Sequence, residues 1–70
     1  GWNKAFYYIE QYVEREGHSG LPYMHQQDGF GLGTWVSQQR AAYRKKELPP
    51  NRIERLEALM GWTWDKDRSL

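Results

Sequence analysis

The chain has 70 residues, no cysteine and a formal net charge of +1. A chain of this length forms a single domain, and without cysteine it has no disulfide, no thiolate metal site and no thiol nucleophile. No apolar run is long enough to span a bilayer, and no signal-peptide pattern opens the chain. The absence of cysteine fits a reducing cytoplasm, and we expect one cytoplasmic domain over residues 1–70.

Aromatic residues are abundant: the chain contains four tryptophans, five tyrosines and two phenylalanines. Each large ring removes roughly 150–250 Å² from water, so a few of them can build a core in a short chain. Together with 27% charged residues, this aromatic content favours a folded domain over a disordered tail.

Apolar residues recur at helical spacing in three segments, which predicts an all-α domain. The predicted helices cover residues 2–16, 31–46 and 50–60. The connecting residues 17–30 form a long loop, and its apolar side chains predict that it packs down on the helices. We therefore expect a compact three-helix domain with an aromatic core and a long ordered loop.

Glycine and proline mark two of the helix ends. Gly17 is a natural stop for the first helix. Pro50 suits the first turn of the third helix, which would place Leu48 and Ile53 in the positions of a hydrophobic staple. A later start, with Asn51 as the N-cap, is the alternative.

Positive charge is concentrated in the second helical segment. Residues 31–46 contain no acid and four basic side chains, namely Arg40, Arg44, Lys45 and Lys46. Cations at a helix C-terminus stabilise it by roughly 0.3–1 kcal/mol each, which accounts for the last three without any ligand. Segregated charge and the forked guanidinium group also suit phosphate oxygens, so phosphate contact is the second interpretation.

Arg40 lies one turn before the other basic residues and shares a polar stripe of the helix with Ser37 and Arg44. It either contributes to a phosphate contact or pairs with a carboxylate such as Glu57 or Asp65. If Arg40 is structural, the anion contact falls to the remaining basic residues of the segment.

The aromatic side chains raise a stacking hypothesis, since tryptophan and tyrosine hold single-stranded bases at roughly 1–3 kcal/mol each. The candidates for such stacking are Tyr7, Tyr8 and Tyr23. Three tryptophans fall at core-facing positions of the pattern: Trp2, Trp35 and Trp64. The position of Trp62 stays open.

The sequence offers no evident catalytic or metal-binding constellation. His18 and His25 come close to Asp28 in the sequence, but there is no cysteine and no i, i+4 histidine pair, so we expect no metal. The serines lack an evident base, and no Gly-x-x-x-x-Gly-Lys-Ser/Thr loop occurs, so we expect neither catalysis nor a cofactor. His18, in "GHSG", is expected in a turn that bonds to nearby backbone.

Three stretches together resemble a known family: "EREGHSGLP", "DGFGLGTWVSQQRAAYRKKEL" and "NRIERLEALMGWTW". They are similar to the helicase-associated domain, a short three-helix module that occurs, often in tandem, beside the motor domains of bacterial helicases. The resemblance covers roughly residues 2–65. Two positions depart from the family pattern: Pro49 stands where a serine N-cap is common, and Trp62 where phenylalanine is usual.

The resemblance implies a nucleic-acid-binding accessory of a helicase motor, with DNA expected before RNA and no ATPase activity of its own. Its partners would be nucleic acid, the motor and sister copies in the parent chain, and the isolated domain is expected to be a monomer. Residues 50–60 hold two basic and two acidic side chains, which argues against a last helix that reads bases. We therefore expect contact with the phosphate backbone, through Arg40, Arg44, Lys45, Lys46 and Ser37.

A protein-interaction module is the competing hypothesis. In that case exposed aromatic side chains, such as Trp62, Tyr7 and Tyr8, dock on the motor or on a neighbouring copy. Salt separates the two hypotheses, because phosphate binding weakens steeply as salt rises and aromatic docking barely responds.

Overall fold

The computed structural model describes residues 1–64, and within them it contains three α-helices. They are α1 (Trp2–Glu16), α2 (Leu32–Arg44) and α3 (Pro50–Glu57). The all-α, three-helix prediction is therefore confirmed, although α2 and α3 end earlier than the sequence pattern indicated. None of these helices is long and apolar enough to cross a membrane.

The core lies where the apolar faces of the three helices meet. One side chain from each helix is fully buried, namely Ile9, Leu32 and Leu56. Phe6 and Trp35 are also buried and add large rings to the same cluster. Burying a side chain of this size contributes roughly 1.5–3 kcal/mol, so the predicted aromatic core is a main source of stability in this short chain.

Two helix ends follow the glycine and proline signals. Gly17 takes a left-handed conformation (φ 82°), and its N–H donates to the Val13 carbonyl at 2.7 Å, which ends α1. α3 begins at Pro50, and Pro49 precedes it with an extended backbone (φ −61°, ψ 147°). The start at Pro50 is confirmed, and the alternative with Asn51 as the N-cap is wrong.

α3 ends at Glu57, earlier than predicted, because the chain tightens into a turn. In this turn the Leu59 N–H donates to the Leu56 carbonyl at 3.0 Å. Gly61 follows with a left-handed backbone (φ 79°). The chain then returns across α2, and we call residues 62–64, which contact α2 there, the tail.

The long loop is ordered and packs on the helices, as predicted. Gln27 and Phe30 exchange backbone hydrogen bonds of 2.9 Å in an isolated β-bridge. The Phe30 ring packs against Tyr8 of α1, with ring centroids 5.7 Å apart. The loop is also joined to α2, because the Gly33 N–H donates to the His25 carbonyl at 3.1 Å.

Gly33 allows the loop backbone to lie directly on the first turn of α2. A Cβ atom at this position would overlap the carbonyl oxygens of Pro22 and Tyr23. Both oxygens belong to the backbone, so no flexible side chain can move aside to make room. The contact between loop and helix therefore depends on glycine at this position.

Gly33→Ala should lower the free energy of unfolding by more than about 2 kcal/mol, because the added methyl group overlaps fixed backbone. Gly31→Ala is the matched control, since its nearest neighbours would be Thr34 atoms at 3.9 Å. The control should cost less than about 1 kcal/mol, the usual size of a change at an N-cap. Urea unfolding followed by circular dichroism measures both, and equal stabilities would contradict the close approach.

Candidate nucleic-acid interface

Three cations surround the end of α2, and we call them the basic end: Arg44, Lys45 and Lys46. Arg44 is the last helical residue, Lys45 is the C-cap and Lys46 follows it, and all three side chains are exposed. Cations at this position complement the negative end of the helix dipole. The one ion pair within residues 1–64 joins Arg15 to Glu16, so no described carboxylate neutralises the basic end.

Lys46 has a backbone conformation that favours glycine (φ 61°). Its N–H donates to the Tyr43 carbonyl at 3.0 Å, and the Glu47 N–H donates to the Ala42 carbonyl at 2.9 Å. This pair of bonds is the Schellman arrangement, whose left-handed residue is usually glycine. A side chain there costs on the order of 1 kcal/mol, so this cation stands where glycine would be more stable.

A shallow groove borders the basic end. It is lined by Tyr43, Arg44, Lys46, Leu48 and Ile53. Leu48 is buried and Ile53 half-buried, so the groove combines apolar side chains with two cations. This arrangement can hold a phosphate group against the cations, with Leu48 and Ile53 as the apolar wall of the groove.

Arg40 is half-buried and holds the tail. Its Nε donates to the Thr63 carbonyl at 2.9 Å, and its Cζ lies 5.3 Å from the centre of the Trp62 ring. One turn further along α2, Tyr43 stacks on Trp64, with ring centroids 4.0 Å apart and an interplanar angle of 10°. The tail therefore covers the part of the polar stripe where Arg40 lies.

Of the two carboxylates suggested as partners of Arg40, only Glu57 lies within the described residues. Glu57 accepts a hydrogen bond from the Trp64 indole N–H at 2.9 Å and forms no ion pair with Arg40. Asp65 lies outside the described residues. Ser37 is half-buried on the same stripe of α2, almost one turn before Arg40 and further from the basic end.

The three tyrosines proposed for base stacking have different surroundings. Tyr8 is half-buried against Phe30, whereas Tyr7 and Tyr23 are 55% and 52% exposed. Tyr7 lines a second groove, between α1 and the turn after α3. The other lining residues are Glu10, Gln11, Val13, Glu14, Ala58, Leu59 and Met60. This groove includes two carboxylates and no cation, so its charge does not suit a phosphate.

The histidines have structural partners. His18 forms the predicted turn, since its Nδ1 accepts a hydrogen bond from the Gly20 N–H at 3.0 Å. His25 packs edge-on against Tyr12, with ring centroids 5.0 Å apart. Among residues 1–64, no three histidine, aspartate or glutamate side chains come together as metal ligands.

The charges of α3 are equal in number but separated in space, which the sequence analysis missed. The Cζ atoms of Arg52 and Arg55 lie 4.9 and 5.0 Å from the centre of the Trp2 ring. Glu57 instead faces Trp64. The available signal was the i, i+3 spacing of the two arginines and of the two glutamates, which puts each pair on its own face.

Comparison with known proteins gives one match. A family model described as helicase associated domain matches residues 1–65. Searches of curated proteins and of solved structures returned no match to this chain.

Arg40→Gln should lower the free energy of unfolding by about 1–2 kcal/mol. The substitution removes a charged hydrogen bond to the Thr63 carbonyl and a cation–π contact with Trp62. Arg44→Gln, at an exposed position of the same helix, is the matched control and should cost only the helix-dipole contribution, about 0.3–1 kcal/mol. Denaturant unfolding measures both, and equal losses at the two positions would contradict a structural role for Arg40.

Proposed function

The chain belongs to the helicase associated domain family, and from this premise we propose that it binds nucleic acid for a helicase motor, through its basic end. Membership of the family identifies the chain as an accessory module and not as the catalytic motor. In the proposed function a separate ATP-dependent motor in the parent protein unwinds the duplex, and this domain adds affinity for the phosphate backbone.

The observation that carries the proposal is the charge at the end of α2. Arg44, Lys45 and Lys46 are exposed, and no carboxylate of residues 1–64 pairs with them. Residues 31–46 contain no acid at all. Cations that are exposed and unpaired can displace the counterions condensed on a phosphate backbone, which is the main source of affinity in non-specific binding.

Arg40 and Ser37 have a supporting place in the proposed interface. The Nε of Arg40 is bonded to the Thr63 carbonyl, so we assign the phosphate contacts mainly to the basic end. Ser37 is half-buried and can donate one hydrogen bond at the border of the same stripe. We call the slope of log binding constant against log salt concentration the salt slope. Three phosphate contacts would give a salt slope of about −2.7 on duplex DNA, so one copy would bind weakly.

A second candidate function is docking on another protein, and one observation favours it. Tyr7 and Met60, which line the second groove, are 55% and 66% exposed. Tyrosine and methionine are enriched in protein interfaces, and here the two line one groove. Trp62 and Tyr8, the other residues of this hypothesis, are half-buried against Arg40 and Phe30, so docking would centre on Tyr7 and Met60.

Arg44→Glu combined with Lys45→Glu should reduce affinity for a short DNA duplex at least tenfold, by roughly the loss of two phosphate contacts. Both side chains are exposed, so the variant should stay folded, although two acids at the negative end of the helix dipole should lower its free energy of unfolding by roughly 1–2 kcal/mol. Fluorescence anisotropy with labelled duplex and single strand, over a salt series, measures the affinity and its slope. Lys4→Glu, at an exposed position of α1, is the control and should bind as the wild type does.

Two results would count against this assignment. Equal affinity of the double variant and the wild type would remove the basic end from the interface. Binding of a purified motor that survives high salt and is lost in Tyr7→Ala would instead favour the protein-docking function, because aromatic contacts are little screened.

Lys46→Gly should change stability and binding in opposite directions. Glycine relieves the left-handed backbone at this position and should raise the free energy of unfolding by about 0.5–1 kcal/mol. The same change removes one cation and should reduce the salt slope of duplex binding by about 0.9. Thermal unfolding measures the change in stability, and the anisotropy series measures the change in slope. A stabilised variant with an unchanged slope would exclude Lys46 from the interface.

A further inference from the structure

A rigid aromatic surface lies where α1 meets α3. The Trp2 ring stacks on Phe6, with centroids 5.1 Å apart and an interplanar angle of 11°. It also packs against Trp35 at 5.6 Å, and its indole N–H donates to the Gln39 Oε1 at 2.8 Å. Contacts on several sides fix the orientation of this ring.

Two guanidinium groups lie against this aromatic surface, and we call Arg52 and Arg55 the arginine pair. The Cζ of Arg52 is 4.9 Å from the centre of the Trp2 ring, and that of Arg55 is 5.0 Å from the same centre. Arg55 also lies 4.4 Å from the centre of the Phe6 ring, and its Nη1 donates to the Asn3 Oδ1 at 2.9 Å. Two like charges are therefore held beside one ring.

No carboxylate within residues 1–64 pairs with the arginine pair. Its described partners are neutral: aromatic rings and the amide of Asn3. Arg15 provides the internal comparison, because it also lies over an aromatic ring but has Glu16 at 3.2 Å. The pair thus has rigid support, as Arg15 has, and lacks the neutralising partner.

We propose that the arginine pair is a second phosphate-binding site of this domain. Arginine presents five N–H donors around a planar group, and only one of them on Arg55 is used by Asn3. The remaining donors of the two side chains match the oxygens of a phosphate. An anion bound to both guanidinium groups also offsets the repulsion of two like charges held near one ring.

The ligand is a phosphate group of a nucleic-acid backbone, so the biological role of this site rests on the proposed function. With the basic end, the site gives the domain two separate regions of contact, on α2 and on α3. Two such regions would fix the orientation of the domain on a strand, which contacts at one helix end alone would leave free. The site itself requires only phosphate, and it can be tested without nucleic acid.

The first experiment titrates inorganic phosphate into the ¹⁵N-labelled domain at low salt and follows the arginine Nε–Hε signals by NMR. We expect the signals of Arg52 and Arg55 to shift together and to saturate, while the signal of Arg15 stays in place. Equal shifts of all three would indicate general ionic screening and would overturn the site. The absence of any shift in the pair would overturn it as well.

The second experiment measures the salt dependence of duplex binding in two variants. One is the double variant that combines Arg52→Gln with Arg55→Gln, and the other is the matched control Arg15→Gln. The double variant should reduce the salt slope by about 1.8, because each lost phosphate contact accounts for about 0.9. Arg15→Gln should leave the slope unchanged. Equal slopes for the double variant and the wild type would exclude the pair from nucleic-acid binding.

Two further controls keep the outcomes distinct. Arg52→Gln alone serves if the double variant unfolds, since the described contact of Arg52 is with the Trp2 ring only, and it should reduce the slope by about 0.9. Arg44→Glu with Lys45→Glu tests the basic end separately. If that variant loses duplex binding while phosphate still shifts the Arg52 and Arg55 signals, the result supports both sites. If the wild type shows the phosphate shifts but does not bind duplex at all, the proposed function is refuted and the anion site is retained.

Discussion

The indole of Trp2 connects the three helices, and the remaining architecture depends on the contacts of its ring and its N–H. Its ring stacks on Phe6 within α1, and its N–H reaches Gln39 of α2, 37 residues away in sequence. Arg52 and Arg55 of α3 cover it from the third side. Trp2 is half-buried, and a tryptophan packed in this way is stabilised by apolar cover on its ring and a partner for its N–H. In a short chain without disulfides, one side chain that makes these long-range contacts replaces a covalent staple.

Both ends of α2 are fixed by backbone geometry. Gly33 brings the helix start against the carbonyls of the long loop, and the left-handed Lys46 turns the chain out of the helix at the other end. The basic end is therefore held in a defined conformation, although its side chains are exposed. The tail covers the polar stripe at Arg40, which contacts Thr63 and Trp62, and it leaves the basic end exposed. One helix thus holds the tail in its middle and presents its charge at its end.

Sequence alone predicted the three helices and an aromatic core, because helical periodicity and the signals of Gly17 and Pro50 act over a few residues. It missed features that depend on distant segments. Arg40 is bonded to the carbonyl of Thr63 in the tail, a backbone contact that no periodic pattern predicts; the suggested pairing with Asp65 falls outside the described residues. The i, i+3 spacing of Arg52 and Arg55 already separated them from the nearby glutamates, but their position beside Trp2 appears only when α1 is placed next to α3.

Local charge, and not net charge, decides whether a domain of this size can hold nucleic acid. A net charge of +1 produces little field beyond a Debye length of about 10 Å, so long-range steering is weak. Affinity must then come from cations close enough to displace counterions. The basic end and the arginine pair are two clusters of such cations, and neither has a carboxylate partner among residues 1–64. A copy that binds through a few such contacts dissociates readily. Under the proposed function, its attachment to a motor would supply the high effective concentration that makes weak contacts useful, while each contact stays weak enough to break as the motor advances.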